Sequence, residues 1–327
     1  MLSRVTAGPI SDLAGKPFNL RIRKTIMETI TLSGAYSPIP TPFYENGYIA
    51  YDEFSENIDK WCKTSLSGLL VLGSNGEFTY LSRDEKLMTL KTARQVIPKD
   101  KLFIAGTGCD STKITLEFTE QAANIGADCV IIITPMYYPS KMDDNAMIKH
   151  YLYLAEHSPL SVILYNMPAN TGVDLSAEVV IELSNHPNII GIKDSSGNIV
   201  KTGHIISGMS QDFSFLAGSA GFFYPSLVMG ASGGIMALGN IAPEQCYNIY
   251  NYTKNGEYEG ARNLQLKILA ANAAVTTRYG VPGLKVALDW IGYYGGPPRS
   301  PLSAISEEQQ GLLRSMLAEG GIISEED

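Results

Sequence analysis

From Gly34 onward, eight short runs dense in Val, Ile and Leu are separated by amphipathic stretches of helical length. The runs are Ala35–Pro40, Gly68–Leu72, Leu102–Gly106, Cys129–Thr134, Ser161–Tyr165, Ile189–Lys193, Phe213–Ala217 and Gly233–Ala237. Their apolar residues do not alternate with polar ones, which suits parallel strands buried on both faces. Helix signals lie between them. Ser82 with Glu85 reads as a capping box opening a helix toward Val96. Asp110 is placed to cap a helix through Thr115 to Ile125, Ser176 one ending near Asn185, and Pro243 opens another. Parallel neighbours need crossover connections, so strand and helix repeated eight times predict an α/β fold, the (β/α)8 TIM barrel. A doubly wound open sheet competes, but eight units without a dinucleotide fingerprint favour closure.

The barrel is expected over residues 31–255. A C-terminal helical extension, 256–327, is expected to pack on it, with helices at Tyr258–Thr277, Leu284–Ile291 and Glu307–Leu317. Residues 1–30 differ in character: Arg4, Lys16, Arg21, Arg23 and Lys24 stand against Asp12 through residue 27, with Ser and Thr interspersed. That composition reads as a flexible extension or a transit-like leader, and it lacks the apolar core of a secretory signal. The expected location is cytoplasmic, or the mitochondrial matrix if the chain is eukaryotic and residues 1–27 are a transit peptide.

Composition narrows the function. A net charge of −8 with no basic stripe argues against nucleic acid or an anionic membrane as partner. Phe213 to Pro243 carries no charge, but Pro225 and repeated glycines break it, so barrel interior is expected there and not a membrane span. Cys62, Cys109, Cys129 and Cys246 are scattered, without CxxC spacing, and are expected as free thiols in a reducing compartment. His150, His157, His186 and His204 form no HxH or HExxH pair, so no histidine-built metal site is expected.

Barrel enzymes work at the C-terminal ends of their strands. Strand six ends at Lys193, a flexible amine among apolar neighbours. Withdrawal from water disfavours an ammonium ion and makes an amine a better nucleophile, as Schiff-base chemistry requires. The plainer alternative is a lysine snorkelling out of the strand mouth. Strand five ends at Tyr165, and strand four leads into Tyr137-Tyr138. Strand two leads into Gly73-Ser74-Asn75-Gly76-Glu77, whose backbone N–H groups and polar side chains can make a concavity for a carboxylate. The glycines around strands seven and eight could hold a phosphate or leave room for substrate. Amine, phenols and anion cradle all fall on one rim.

These motifs resemble the dihydrodipicolinate synthase/N-acetylneuraminate lyase family of Schiff-base aldolases, over Gly34 to Pro301. The matching segments are GSNGE at Gly73–Glu77, YYP at Tyr137–Pro139 and YNMPANTG at Tyr165–Gly172. GIKDSSG at Gly191–Gly197, LAGSAGF at Leu216–Phe222 and DWIGYYGGPPR at Asp289–Arg299 add to them. The resemblance implies Lys193 as the Schiff-base lysine and Tyr165 as general acid/base. It implies Ser74 and Tyr137 as relay partners, the latter reaching in from a neighbouring subunit of a homodimer or homotetramer. Asn75 with the Ser74 backbone would bind the keto-acid carboxylate, and Ser195 and Asn170 would be further substrate contacts. No cofactor or metal is implied.

Within the family, Asn75 and Asn170 are similar to the branch that cleaves 4-hydroxy-2-oxoglutarate to pyruvate and glyoxylate. The lysine-biosynthetic synthases have a threonine pair where Ser74-Asn75 stand and an arginine where Asn170 stands. Losing a bidentate carboxylate anchor is not a mild change. The alternatives are condensation of pyruvate with aspartate semialdehyde, or aldol cleavage or dehydration of a 2-keto-3-deoxy sugar acid. From a different class comes a non-catalytic barrel that binds keto acids.

Overall fold

The computed structural model describes residues 30–324, so the basic stretch read as a leader lies outside the described residues. Eight strands occur in chain order: β1 (Gly34–Pro38), β2 (Gly68–Val71), β3 (Leu102–Gly106), β4 (Cys129–Ile133), β5 (Ser161–Asn166), β6 (Ile189–Asp194), β7 (Ser214–Ala217) and β8 (Gly233–Ile235). Each lies parallel to the next, and β8 pairs back onto β1 to close the barrel. Every apolar run became a strand, with ends displaced by about two residues at most, the usual uncertainty of such boundaries.

The two-residue period of a strand divides the side chains between two cores. Leu69, Val71, Phe103, Val130, Ile132, Leu164, Ile192 and Phe215 belong to the main cluster, packed with the apolar faces of the surrounding helices. Their strand neighbours Leu70, Ile104, Ile131, Ile163 and Leu216 are equally buried and fill the barrel interior. Closure needs one glycine in particular. A Cβ on Gly233 would lie 2.2 Å from the carbonyl oxygen of Gly34, so only a bare backbone lets β8 reach β1.

The capping box at Ser82 and Glu85 opens helix α2 (Arg83–Val96), Ser176 caps the helix Ala177–Leu183, and Pro243 opens the helix Pro243–Lys254. Asp110 does not cap the helix Thr112–Ile125. Ser111 does, and the Asp110 carboxylate instead accepts from the amides of Met136 and Tyr137 at 2.8 and 3.0 Å. Asp110 therefore ties the end of β3 to the loop after β4. The long helix expected at Tyr258–Thr277 is also divided, into Tyr258–Lys267, Leu269–Ala273 and a π-turn, Ala274–Arg278. There the hydroxyl of Thr276 donates to the Asn272 carbonyl at 2.6 Å, competing with the backbone ladder. These C-terminal helices dock on the segment after β7: Gln265 bonds the backbone of Ala220 and Tyr224, and Asn272 bonds Ser219. Among the described residues no helix is long and apolar enough to cross a membrane.

Arg299 fastens the C-terminal segment to α2, gripping the Glu85 carboxylate with both guanidinium nitrogens at 2.9 and 2.7 Å. Its hydrogen bond, with help from the Ser82 amide, draws the Glu85 carboxyl down from 4.5 to about 2. A carboxylate depressed by folding stabilises the native state above its unfolded pKa and loses that contribution as pH falls through the folded one. Urea midpoints should therefore fall between pH 4.5 and about 2, and less steeply in Glu85→Gln. Parallel curves for the two proteins would show that the pair contributes nothing in acid.

Candidate active site

Tyr165 and Lys193 are register partners on β5 and β6, so both project from the same level of the rim. Tyr165 is 4% and Lys193 3% exposed. Lys193 is not a snorkelling lysine: its Nζ lies 4.2 Å from the centroid of the Tyr165 ring. The phenol oxygen of Tyr165 is 3.2 Å from Ser74 Oγ. Amine, phenol and hydroxyl, drawn from three separate strand ends, form one cluster.

Ser74 heads a 3-10 turn, Ser74–Gly76, which follows β2 directly. The amides of Gly76 and Glu77 bond the carbonyls of Gly73 and Ser74, so they are spent within the turn. Those of Ser74 and Asn75 stand at its head, where a helical turn offers no internal acceptor. The approach to the turn is strained: Leu72, buried and branched, holds φ +63°. A cavity of about 10 Å³, room for a single water, lies beside the phenol against Leu72, Phe78, Gly106, Ile131 and Ile133.

The other expected contacts are placed less centrally. Ser195 is half-buried, and a Cβ on Gly218 would lie 2.0 Å from its Oγ, so the glycine after β7 leaves room for that hydroxyl. Ser219 in the same run bonds Asn272 instead. Asn170 is exposed, on the one-turn helix Pro168–Thr171 after β5. Tyr137 is 73% exposed and packs edge-to-face on Tyr138 at 4.8 Å. Among the described residues its hydroxyl joins neither Ser74 nor Tyr165. On the same rim, burial pushes the Cys109 thiol above its ordinary range, which keeps it from competing as a nucleophile.

Two supports around the cluster escaped the sequence reading. At the ends of β5 and β6, Asn166 and Asp194 are register partners facing away from the interior. The Asn166 amide donates to Asp194 at 3.3 Å and to Asp174 at 2.7 Å, and Lys201 pairs with both carboxylates. Glu77, the last residue of the GSNGE run, is buried and pairs with Lys285 at 2.6 Å. Neither arrangement has a local sequence signal, because the partners come from distant segments. The resemblance at Asp289–Arg299 was the one hint that the C-terminal segment matters to the site.

The model of the dihydrodipicolinate synthetase family matches residues 31–319. A 4-hydroxy-tetrahydrodipicolinate synthase of Methanothrix thermoacetophila is 31% identical over 87% of this chain and 95% of its own length. A probable mitochondrial 4-hydroxy-2-oxoglutarate aldolase of Emericella nidulans is 32% identical over 88% of this chain and 94% of its own. The crystal structure of a chloride-inhibited dihydrodipicolinate synthase from Acinetobacter baumannii, complexed with pyruvate, superimposes with a TM-score of 0.85 at 29% identity, covering 90% of this chain and all of that one. Family match, closed barrel and the convergence of amine and phenol agree: the chain belongs to the dihydrodipicolinate synthetase family and is an enzyme of its lyase class.

Proposed function

We propose that this chain is a class I aldolase that cleaves 4-hydroxy-2-oxoglutarate to pyruvate and glyoxylate. The observation that carries the reading is the buried Lys193 amine against the Tyr165 ring, with Ser74 on the phenol. Lys193 attacks the C2 ketone, and loss of water leaves an iminium. Tyr165, having given its phenol proton to the water that leaves C2, takes the proton of the C4 hydroxyl as a phenolate while the C3–C4 bond breaks and glyoxylate departs. The bonding pair passes into the iminium, giving an enamine. Protonation at C3 and hydrolysis then release pyruvate and regenerate the amine. The iminium is itself the electron sink, so the route asks for no metal or cofactor. Ser74 Oγ, in hydrogen-bond contact with the phenol, holds its proton-transfer geometry.

The amides of Ser74 and Asn75, with the Asn75 side chain, are suited to the substrate's C1 carboxylate. Asn170 and Ser195 are assigned to the remainder of the substrate. Tyr137, exposed in the single chain, is assigned to the site of a neighbouring subunit in a homodimer or homotetramer. The basic N-terminal stretch and the mitochondrial name of the Emericella relative favour the matrix in a eukaryote.

A second reading, condensation of pyruvate with aspartate semialdehyde, draws support from the synthase-named relatives at similar identity. Against it stands Asn170, which offers no guanidinium to a second carboxylate. Steady-state assays comparing glyoxylate release with the condensation of pyruvate and aspartate semialdehyde decide between them. Glyoxylate from 4-hydroxy-2-oxoglutarate is expected, with turnover well above that for aspartate semialdehyde condensation. The reverse ranking would transfer the assignment to the synthase.

A further inference from the structure

Resting on the reading that the Gly73–Glu77 turn receives a substrate carboxylate, we propose that Lys285 and Glu77 are positioning residues for that subsite. Through them the C-terminal segment, and not the barrel alone, sets the affinity for 2-oxo acids. Their side chains are each only 1% exposed and meet at 2.6 Å. Glu77 closes the turn: its amide donates to the Ser74 carbonyl at 3.1 Å, so its placement orients the peptide unit that carries the Asn75 amide. It does so at φ +52°, a left-handed conformation that a non-glycine residue keeps only when its surroundings impose it.

Those surroundings come from the far end of the chain. Lys285, on the helix Gly280–Trp290, holds one carboxylate oxygen of Glu77 and donates to the Pro297 carbonyl at 2.9 Å. The Arg299 amide holds the other oxygen at 2.8 Å. Lys285 also lies over the Phe43 ring at 4.3 Å, and the Arg299 side chain reaches the carbonyls of Tyr80 and Gly47 on either side of the turn. A well-packed apolar pair would support the fold as well as a buried ion pair does. It could not supply both the Lys285 charge 2.6 Å from one oxygen and the directional bond of the Arg299 amide to the other, on the residue that closes the turn. The pair is therefore placed for geometry, and the geometry it governs is that of the Asn75 amide at the head of the turn.

The test compares borohydride trapping at Lys193 with pyruvate and with methyl pyruvate, which keeps the ketone and lacks the carboxylate. Wild type, Lys285→Met and the charge-free double variant Glu77→Gln/Lys285→Met are followed by intact mass and thermal melting. The half-saturating pyruvate concentration should rise about tenfold or more in both variants, the worth of one hydrogen bond to a charged group. That for methyl pyruvate should stay within about twofold of wild type, on the same scale. The double variant should regain the melting temperature lost in Lys285→Met without regaining the preference for pyruvate. If both ligands weaken together, or the double variant recovers the preference, the pair serves only the fold and the inference is overturned. A wild-type protein with no pyruvate adduct at Lys193 overturns this inference together with the reading beneath it. An adduct with its preference intact in both variants overturns this inference alone.

Discussion

Lys193→Met should lower turnover by more than about 10⁴-fold, beyond the ~10²–10⁴-fold that loss of a proton-transfer group costs. The substitution removes the proposed bond-forming atom itself, and among the described residues no second amine lies over the Tyr165 ring. Methionine keeps the length and most of the volume of lysine, so the cavity is not emptied. The Lys193 side chain itself is almost cut off from water, 3% exposed, and exchanging a buried amine for a thioether should leave the melting temperature unchanged or raised. Steady-state assays and intact mass after borohydride separate these effects. Retained turnover with a retained adduct would show that another nucleophile carries the reaction, and the covalent role of Lys193 would fall.

Trp61→Ala should be the most destabilising single change in the helix layer. Trp61 is fully buried in helix Tyr51–Cys62, stacks on Tyr293 with centroids 5.0 Å apart, and donates its indole N–H to the Asn240 carbonyl at 2.9 Å. Asn240 in turn donates to the carbonyls of Pro38, the last residue of β1, and Ala237, just beyond β8. One side chain thus joins the first helix, the closing seam of the barrel and the C-terminal segment. Truncating a buried tryptophan costs about 3–5 kcal/mol, and an orphaned buried carbonyl adds about 1–3. In a chain of this size that corresponds to a fall of roughly 10–20 °C in Tm. Trp61→Phe, which keeps the stacking and loses the N–H, should show only the smaller part. A shift below about 3 °C in Trp61→Ala would mean that this junction carries little of the stability.

The parts of the fold that were legible share one property: they depend on periodicity or on neighbours within a turn. The eight apolar runs, the Ser82–Glu85 box and the proline opening Pro243–Lys254 could all be read locally. Asp110 was misjudged because two adjacent residues, Asp110 and Ser111, are both competent caps, and the loop after β4 claimed the first. The division of Tyr258–Thr277 carried no comparable local signal, since no proline or glycine marks the break at Ile268. In the site, Lys193, Tyr165 and Ser74 were legible because strand ends in a closed parallel barrel must face one rim. Tyr137 belongs to that rim by sequence, yet its phenol stays outside the cluster in the single chain.

Sequence alone determined the closed array of parallel strands and the level at which amine and phenol meet, because a two-residue period and parallel pairing leave few other arrangements. Only the tertiary structure decided what surrounds them: Lys285 and Arg299 on Glu77 in the turn after β2, and Lys201 behind Asp194 on β6. Such contacts join segments far apart in the chain through loops that carry no period. Their pairing is set by desolvation and bond geometry once the barrel has closed, not by anything a local pattern encodes.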